Sequence, residues 1–279
     1  TGDDGRKHVA GDTNEVDMAL PNPSEPVPIF VIGSPRSGTT LLRLILDSHP
    51  NISCGEETHF LRDLESVVGR NWDLVATYGL SREWWIEHLR GLYDAFQTEV
   101  LTRVGKSRWA EKDPTYTLHL PFIEELFPTA VYVHLLRDGH DVVASFRDRW
   151  GYRSAARAAR TEWARYVNAA RELGERLPPG RFLELRYEEL VTDPEAQGQR
   201  LFGFLGEPWD RSVLEFDPKD HAATERYRWF SARQREAGGD DRTIYRSRVG
   251  TGGESLDPVL RTILRRQNGD LLRDLGYEA

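Results

Sequence analysis

Segment 33–40, GSPRSGTT, holds the residues whose types and spacing most clearly predict chemistry. Gly33 and Gly38 have the spacing of the glycines in the phosphate-binding motif GxxxxGK[ST]. In such a turn the backbone N–H groups point inward, and the following helix adds the positive end of its dipole, so the turn binds anions. The motif has Lys after its second glycine, whereas this chain has Thr39, and the cation of the loop is Arg36. The segment therefore predicts an anion site formed by Arg36, Ser37, Gly38, Thr39 and Thr40.

A second basic residue, Arg137, follows the apolar run 130–136, which is typical of a buried parallel strand. Ligands of open α/β sheets bind at the carboxyl ends of such strands. Ser145 comes eight residues later, about two turns into the helix predicted to follow. Together the two side chains predict a site for a second phosphate group. The alternative is that Arg137 pairs on the surface with Asp138 or Asp141.

Side chains suited to proton transfer and charge stabilisation lie between these two regions. Glu56 and Glu57 occur in CGEET, after a short predicted strand, and a carboxylate there could take the proton of an attacking hydroxyl. The alternative is that both cap the following helix, because acidic residues are favoured in a first turn. Lys112 begins the block KDP, whose Asp-Pro pair predicts a turn that holds the lysine at a cleft. The alternative for Lys112 is a solvated surface side chain.

Five blocks of the chain resemble, in order and spacing, those of sulfotransferases that use 3′-phosphoadenosine 5′-phosphosulfate (PAPS). PRSGTT at 35–40 resembles their 5′-phosphosulfate loop. The stretch LLRLILDSHPNISCGEET at 41–58 resembles the protein-tyrosine sulfotransferases more particularly. The other blocks are KDP at 112–114, RDGHDVVAS at 137–145 and RYEEL at 186–190. The resemblance covers roughly residues 29–205.

The resemblance implies transfer of a sulfuryl group from PAPS to a hydroxyl, less often an amine, with 3′,5′-ADP (PAP) as the second product. It implies that Glu57 is the general base and that Arg36 and Lys112 offset charge on the leaving nucleotide. It also implies that Arg137 and Ser145 bind the 3′-phosphate. The other residues that it implies at the nucleotide are Tyr187, Arg248 and Gly250.

The identity of the base has one rival within the same block. Small-molecule sulfotransferases use a histidine base, and His59 lies two residues after Glu57. The family pattern has Arg at this position, so His59 is a departure that could tune the choice of acceptor.

Alternating apolar runs and helical stretches predict the elements that position these residues. Strands are predicted at 29–32, 52–54, 130–136 and 182–185. Helices are predicted from 39 onward, through most of 57–104 with a cap at Ser81, and over 119–127, 155–176 and 258–275. This order predicts an α/β fold with a mainly parallel sheet flanked by helices on both faces, and the resemblance implies a P-loop-NTPase-like topology. Residues 1–27 are predicted to be a flexible tail and residues 28–279 a sulfotransferase domain.

Composition limits the class of protein further. Of the 279 residues, 39% are hydrophobic and 29% are charged, which predicts a globular chain with a large core. The net charge of −8 argues against a nucleic-acid partner. With Cys54 as its single cysteine, the chain cannot form an internal disulfide or a multi-cysteine zinc site, and its residues require no metal. No apolar stretch approaches the ~20 residues of a membrane span. One cysteine and no signal-peptide core predict a cytoplasmic protein.

The acceptor and two other functions stay open at this point. Tyrosine sulfotransferases of secretory compartments usually have disulfides and a membrane anchor, so a small molecule, a glycan or a lipid alcohol is as compatible as a peptide. The sequence does not predict an oligomeric state. The alternative enzyme is a P-loop nucleotide kinase or NTPase, which predicts an acidic residue at a strand end, whereas run 130–136 is followed by Arg137. A binding protein that keeps the anion site without chemistry is the third class.

Overall fold

A parallel sheet of five strands lies at the centre of the computed structural model, which describes residues 27–216, 249–250, 252 and 255–277. The strands are β1 (Ile29–Ile32), β2 (Ile52–Cys54), β3 (Arg108–Lys112), β4 (Val131–Leu136) and β5 (Phe182–Arg186). Their order across the sheet is β2-β3-β1-β4-β5, and all four pairings are parallel. The predicted α/β fold with a parallel sheet is confirmed.

Both faces of the sheet are buried, which explains the continuous apolar runs of its central strands. In β1, Ile29 and Val31 pack into one helical layer, whereas Phe30 and Ile32 pack into the other. None of these four side chains is more than 1% exposed. The core therefore extends through the sheet, and polar side chains at the strand ends have a rigid base.

The helices cover the two faces and one end of this sheet. They are α1 (Thr39–Asp47), α2 (Phe60–Val75), α3 (Arg82–Val104), α4 (Leu120–Leu126), α5 (Gly139–Trp150), α6 (Tyr152–Arg157), α7 (Trp163–Arg176), α8 (Tyr187–Thr192), α9 (Pro194–Leu205) and α10 (Pro258–Asp274). Helices α1, α8 and α9 pack on one face, and α3, α4 and α7 pack on the other. Helix α10 packs against α5 and α6. Among the described helices, none combines the length and the apolar composition needed to cross a bilayer.

The order of the strands brings three strand ends together. Strand β1 lies between β3 and β4, because the chain moves to one side of β1 first and to its other side later. The segments that follow the carboxyl ends of β1, β3 and β4 therefore meet at one edge. This is the edge at which open α/β sheets bind their ligands.

The corner between α1 and β2 fixes the segment that carries the predicted base. Cys54 accepts a hydrogen bond at its carbonyl from Nε of Arg43 (2.8 Å), and its N–H donates to Oδ1 of Asp47 (2.9 Å). Lys106 donates from Nζ to the carbonyl of Ile52 (2.8 Å). The thiol of Cys54 is fully buried, and burial raises its pKa to about 12. Residues after Cys54 consequently leave β2 from a rigid, hydrogen-bonded point.

Three features of the fold differ from the sequence predictions. Strand β3 is not predicted by its sequence, RWAEK, because three of its five residues are charged. The helix that the sequence predicts after run 130–136 and through Ser145 is α5, and it extends to Trp150. The helix predicted over 155–176 is instead α6 and α7 joined by a π-helical turn at Ala158–Glu162. The carbonyl of Ala159 in this turn accepts a hydrogen bond from Asn268 of α10 (2.7 Å), so the irregularity joins two helices.

Candidate active site

The glycine turn between β1 and α1 is shaped by two contacts that leave no room for a side chain. A Cβ on Gly33, whose φ is 145°, would lie 2.6 Å from the carbonyl oxygen of Leu135. A Cβ on Gly38, whose φ is 95°, would lie 2.4 Å from the ring of Tyr187. Thr117 stabilises the turn, because its Oγ1 accepts a hydrogen bond from the N–H of Gly33 (2.9 Å). Both glycines are therefore required by packing as well as by backbone conformation.

The first turn of α1 follows this loop directly. Gly38 is its N-cap residue, and no side chain caps the helix. The first N–H groups of a helix have no intrahelical acceptor, so those of Thr39 and Thr40 are available to an anion at this end. The predicted anion-binding residues of segment 36–40 therefore come together around one helix N-terminus.

Arg36 connects the turn to helix α5. Its backbone has the unusual φ of 75° for a non-glycine residue. Its Nε donates to Oγ of Ser145 (3.0 Å), and its guanidinium lies 5.7 Å from the ring centre of Trp150. The structure thus brings together two residues that the sequence analysis assigned to opposite ends of the nucleotide.

Arg137 lies at the carboxyl end of β4 and is only 5% exposed. It donates to the carbonyl of Arg36 (3.2 Å) and to Oδ2 of Asp141 (3.2 Å), and its guanidinium lies 4.2 Å from the ring centre of Tyr187. The alternative for Arg137 is a surface pair with Asp138 or Asp141. Arg137 does pair with Asp141, but the pair is buried. The carbonyl of Arg137 accepts from Nε1 of Trp163 (3.1 Å), which fixes the strand end.

Two other residues that the resemblance implies at the nucleotide, Tyr187 and Gly250, lie beside Arg137. Tyr187 is buried between Gly38 and Arg137, so the structure shows it as a wall of the turn. Gly250 donates its N–H to Oδ2 of Asp141 (3.1 Å), next to Arg137. Arg248 lies outside the described residues. Contact of Tyr187 and of Gly250 with the nucleotide stays a prediction.

The predicted base and the predicted lysine contact each other at the neighbouring strand ends. Strands β2 and β3 are paired in parallel, with Cys54 opposite Ala110, so the segments that follow them leave from the same edge. Nζ of Lys112 donates to Oε1 of Glu57. The Lys112 side chain is 4% exposed and that of Glu57 is 17% exposed, so the pair is largely shielded from water. Glu57 therefore contacts Lys112, and Lys112 is not a solvated lysine.

His59 forms a second pair beside the first one. Its Nδ1 lies 2.5 Å from Oδ2 of Asp113, which is fully buried. The other carboxylate oxygen of Asp113 accepts from the N–H (2.9 Å) and the hydroxyl (2.7 Å) of Thr115. His59 has a φ of 58° and is the N-cap residue of α2. Two acid–base pairs thus join segment 57–59 to the end of β3.

Sequence analysis did not identify Glu111, which contacts segment 57–59 through Thr58. One of its carboxylate oxygens accepts from the hydroxyl of Thr58 (2.9 Å), and that hydroxyl lies 3.3 Å from the phenol oxygen of Tyr116. Complete burial raises the pKa of Glu111 to about 7. The signal in the sequence is a glutamate that follows Trp109 and Ala110 and immediately precedes KDP. In the described part of the chain, no three His, Cys, Asp or Glu side chains form a group that could hold a metal ion.

Comparisons with known proteins identify the family. The sequence profile described as Sulfotransferase family matches residues 28–211, and the chain belongs to this family. It is 33% identical over 202 residues to protein-tyrosine sulfotransferase A of Caenorhabditis elegans, a match that covers 68% of this chain and 52% of the relative. It is 32% identical over 202 residues to human protein-tyrosine sulfotransferase 1, covering 68% and 54% of the two chains. The chain thus spans about half the length of these relatives.

Solved structures agree with this assignment at the level of the fold. The sulfotransferase domain from the Synechococcus PCC 7002 olefin synthase has a TM-score of 0.66 and 24% identity, covering 93% of this chain and 98% of that domain. The sulfotransferase domain from the curacin biosynthetic pathway has a TM-score of 0.61 and 20% identity, covering 91% and 98%. The prediction of a sulfotransferase is confirmed at the level of the family, and the kinase alternative is not favoured.

Proposed function

We propose that this chain transfers a sulfuryl group from PAPS to an acceptor hydroxyl, with Glu57 as the general base. The contact between Glu57 and Lys112 carries the proposal. It places a carboxylate and an ammonium group, both largely shielded from water, at the sheet edge that also carries the glycine turn. A base for the attacking group and a cation for the departing group are the two elements that this reaction needs.

The donor side has the residues that a nucleotide with two separate phosphate positions requires. Segment 36–40 offers backbone N–H groups at the start of α1 for the phosphosulfate. Arg137 directly follows β4 and Ser145 lies on α5, both at a fixed distance from that turn, and they support binding of the 3′-phosphate. Arg–phosphate contacts are charge-assisted and orient the phosphate as well as hold it. These residues fit PAPS better than ATP, because the position after Gly38 lacks the lysine of the NTPase motif.

The proposed chemistry is an in-line displacement at sulfur. Glu57 accepts the proton of the acceptor hydroxyl while the acceptor oxygen forms its bond to sulfur. The bond between sulfur and the 5′-phosphate oxygen breaks, and the electron pair stays on that oxygen of PAP. Lys112 and Arg36 supply positive charge for the oxygen that becomes negative. Holding both reactants in line contributes much of the acceleration.

A phenolic hydroxyl of tyrosine is the first acceptor to test, because the curated relatives are protein-tyrosine sulfotransferases. His59, which pairs with Asp113 beside Glu57, is the residue through which acceptor choice would differ. Small-molecule phenols, a glycan and a lipid alcohol complete the acceptor panel. The cytoplasmic location, the boundary of the domain at residue 28 and the absence of a nucleic-acid partner stay predictions.

The test compares two adjacent carboxylates in a PAPS assay with that panel. Glu57→Gln should lower kcat by ~10²–10⁴-fold, the usual contribution of a general base, and should leave 3′,5′-ADP binding unchanged. Glu56→Gln is the matched control and should stay within a few-fold of the parent. Full activity of Glu57→Gln would show that the base is a different group, with His59→Gln as the next variant. Stabilisation by ATP with Mg²⁺ but not by 3′,5′-ADP in a thermal shift would reject the whole proposal.

A further inference from the structure

Asp141, in the first turn of α5, is a buried carboxylate to which the sequence assigned only a surface pairing. Its side chain is fully buried. Oδ2 accepts from Arg137 (3.2 Å) and from the N–H of Gly250 (3.1 Å), and Oδ1 accepts from the N–H of Gly252 (2.6 Å). One carboxylate therefore joins the end of β4 to a segment more than a hundred residues later in the chain.

The backbone at Gly252 approaches α5 so closely that only glycine fits. A Cβ at this position would lie 2.4 Å from the backbone nitrogen of Asp141 and 2.5 Å from the carbonyl carbon of His140. Both of these atoms belong to backbone, which cannot rotate away as a flexible side chain would. The close approach of Gly252 to the backbone of α5 is one observation, and the two hydrogen bonds from Gly250 and Gly252 to Asp141 are a second, independent one. Both hold this part of the chain against α5.

A negative charge beside a phosphate site would repel the phosphate unless it has a compensating role. The positive charge of Arg137 balances the negative charge of Asp141. The Arg137 guanidinium is oriented by Asp141, by the carbonyl of Arg36 and by the ring of Tyr187. Buried carboxylates of this kind are costly to introduce and are stable only when their hydrogen bonds are made. The arrangement here makes them to the arginine and to the two glycine N–H groups.

We propose that Asp141 is a positioning residue of the donor site, which holds the backbone of Gly250 and Gly252 beside Arg137 so that the glycines and the arginine face the 3′-phosphate of the nucleotide as one unit. This inference rests on the proposed function. It predicts a specific loss: without the carboxylate, the protein should lose affinity for the 3′-phosphate while binding the rest of the nucleotide as before. A purely structural role would weaken all ligands alike or only lower the melting temperature.

The test is calorimetric titration of Asp141→Asn with 3′,5′-ADP and with 5′-AMP, which lacks the 3′-phosphate. The amide keeps the size of the side chain but presents a donor to the donors of Arg137 and the glycines. We expect at least a ~10-fold weaker Kd for 3′,5′-ADP, a change of less than ~3-fold for 5′-AMP, and a higher KM for PAPS with a similar kcat. Asp148→Asn, on the same helix but in an exposed pair with Arg147, is the control and should match the parent.

Hydrogen–deuterium exchange of the peptide that contains Gly250 and Gly252 supplies a readout that does not depend on nucleotide. The amides should exchange slowly in the parent protein and faster in Asp141→Asn. If Asp141→Asn does not fold, Gly252→Ala serves instead, because its Cβ displaces the segment while the carboxylate stays, and it should show the same selective loss.

Equal binding of 3′,5′-ADP by the parent and by a folded variant would overturn the inference and leave the proposed function intact. Equal loss for both nucleotides, or unchanged exchange at the glycines, would also overturn it. Failure of the parent itself to bind 3′,5′-ADP would reject the proposed function, and the role of Asp141 in donor binding with it.

Discussion

Under the proposed function the site has a donor side and an acceptor side, and the two are built in different ways. The donor side, formed by segment 33–40 with Arg137 and Ser145, is shaped by backbone, by glycines in close contact and by one helix N-terminus. The acceptor side, formed by segment 57–59 with Lys112 and Asp113, is made of side-chain pairs between neighbouring strand ends. A site built from backbone groups binds one kind of chemical group and tolerates few substitutions. A site built from side chains can be altered by substituting one residue at a time.

The difference fits what each side would have to recognise. Under the proposed function the donor is the same molecule in every turnover, so a rigid anion site has no disadvantage. The acceptor varies between sulfotransferases, and His59, where the resembling family has Arg, is such a single change on the acceptor side. Four experiments test whether the two sides really differ in this way, from the largest expected effect to the smallest.

The largest effect is expected from Gly38→Ala on the donor side. The new methyl group would meet the ring of Tyr187 at 2.4 Å, and the residue would also have to adopt a φ of 95°. We expect binding of 3′,5′-ADP to fall below detection by calorimetry and the protein to lose activity. Gly79→Ala is the control, because Gly79 also has a positive φ but no atom lies within 4 Å of its Cβ position. It should cost about 1 kcal/mol of stability and leave nucleotide binding unchanged. Normal binding by Gly38→Ala would mean that the turn adapts, contrary to the comparison above.

Removal of the ammonium group on the acceptor side should have the next largest effect. Lys112→Met keeps the length of the side chain but removes the charge that contacts Glu57. We expect kcat to fall by ~10²-fold, the usual cost of losing one charged stabiliser of the transition state, with little change in Kd for 3′,5′-ADP. Lys106→Met is the matched control, since Lys106 is also partly buried but bonds the carbonyl of Ile52. That variant should lose stability, measured by urea denaturation, and keep its kcat. The reverse pattern would place catalysis outside the Glu57–Lys112 pair.

A smaller effect, on stability, is expected from Glu111→Gln. Burial raises the pKa of Glu111 from 4.5 to about 7, so the folded protein binds this proton more tightly than the unfolded chain does. As pH rises from 4.5 to about 7, the parent should therefore lose stability relative to the variant, by about 1.4 kcal/mol per pH unit and ~3 kcal/mol in all. Urea denaturation at pH 5, 6, 7 and 8 measures the difference between the two proteins. Glu99→Gln, which removes an exposed carboxylate paired with Arg103, should instead run parallel to the parent. A constant difference between parent and Glu111→Gln over this range would show that Glu111 titrates normally.

The smallest effect is expected from Ser145→Ala, which removes the hydroxyl that the proposed function assigns to the 3′-phosphate and that accepts from Arg36 in this structure. A single hydrogen bond of this kind contributes about 0.5–1.5 kcal/mol, so Kd for 3′,5′-ADP should rise by ~2–10-fold. The loss should vanish when 5′-AMP replaces 3′,5′-ADP. Ser154→Ala, which removes an exposed hydroxyl that bonds the carbonyl of Trp150, is the control and should bind both nucleotides as the parent does. An equal loss for the two nucleotides would place Ser145 away from the 3′-phosphate.

Sequence patterns predict those features of the molecule that depend on residues close to one another in the chain. Strand β1 and strand β4 are continuous apolar runs, the glycine turn has a fixed spacing, and Arg137 follows a strand directly. Each of these signals lies within about ten residues, so it can be read without knowledge of the fold.

The parts that sequence patterns miss depend on contacts between distant segments. Strand β3 is recognised as a strand only through its pairing with β1 and β2, because its own residues are mostly charged. The bonds of Asp141 to Gly250 and Gly252 span 109 and 111 residues. The contact of Glu111 with Thr58 likewise depends on the order of strands in the sheet. No local pattern contains this information.

The buried thiol of Cys54 has a practical consequence for anyone who follows this protein in solution. Thiol reagents attack the thiolate, and a cysteine whose pKa is raised to about 12 and which has no exposed surface supplies almost none of it. Since it is also the single cysteine of the chain, a new cysteine placed on the surface would be labelled alone. A fluorophore attached near the end of α5 could then report nucleotide arrival without removal of any native residue.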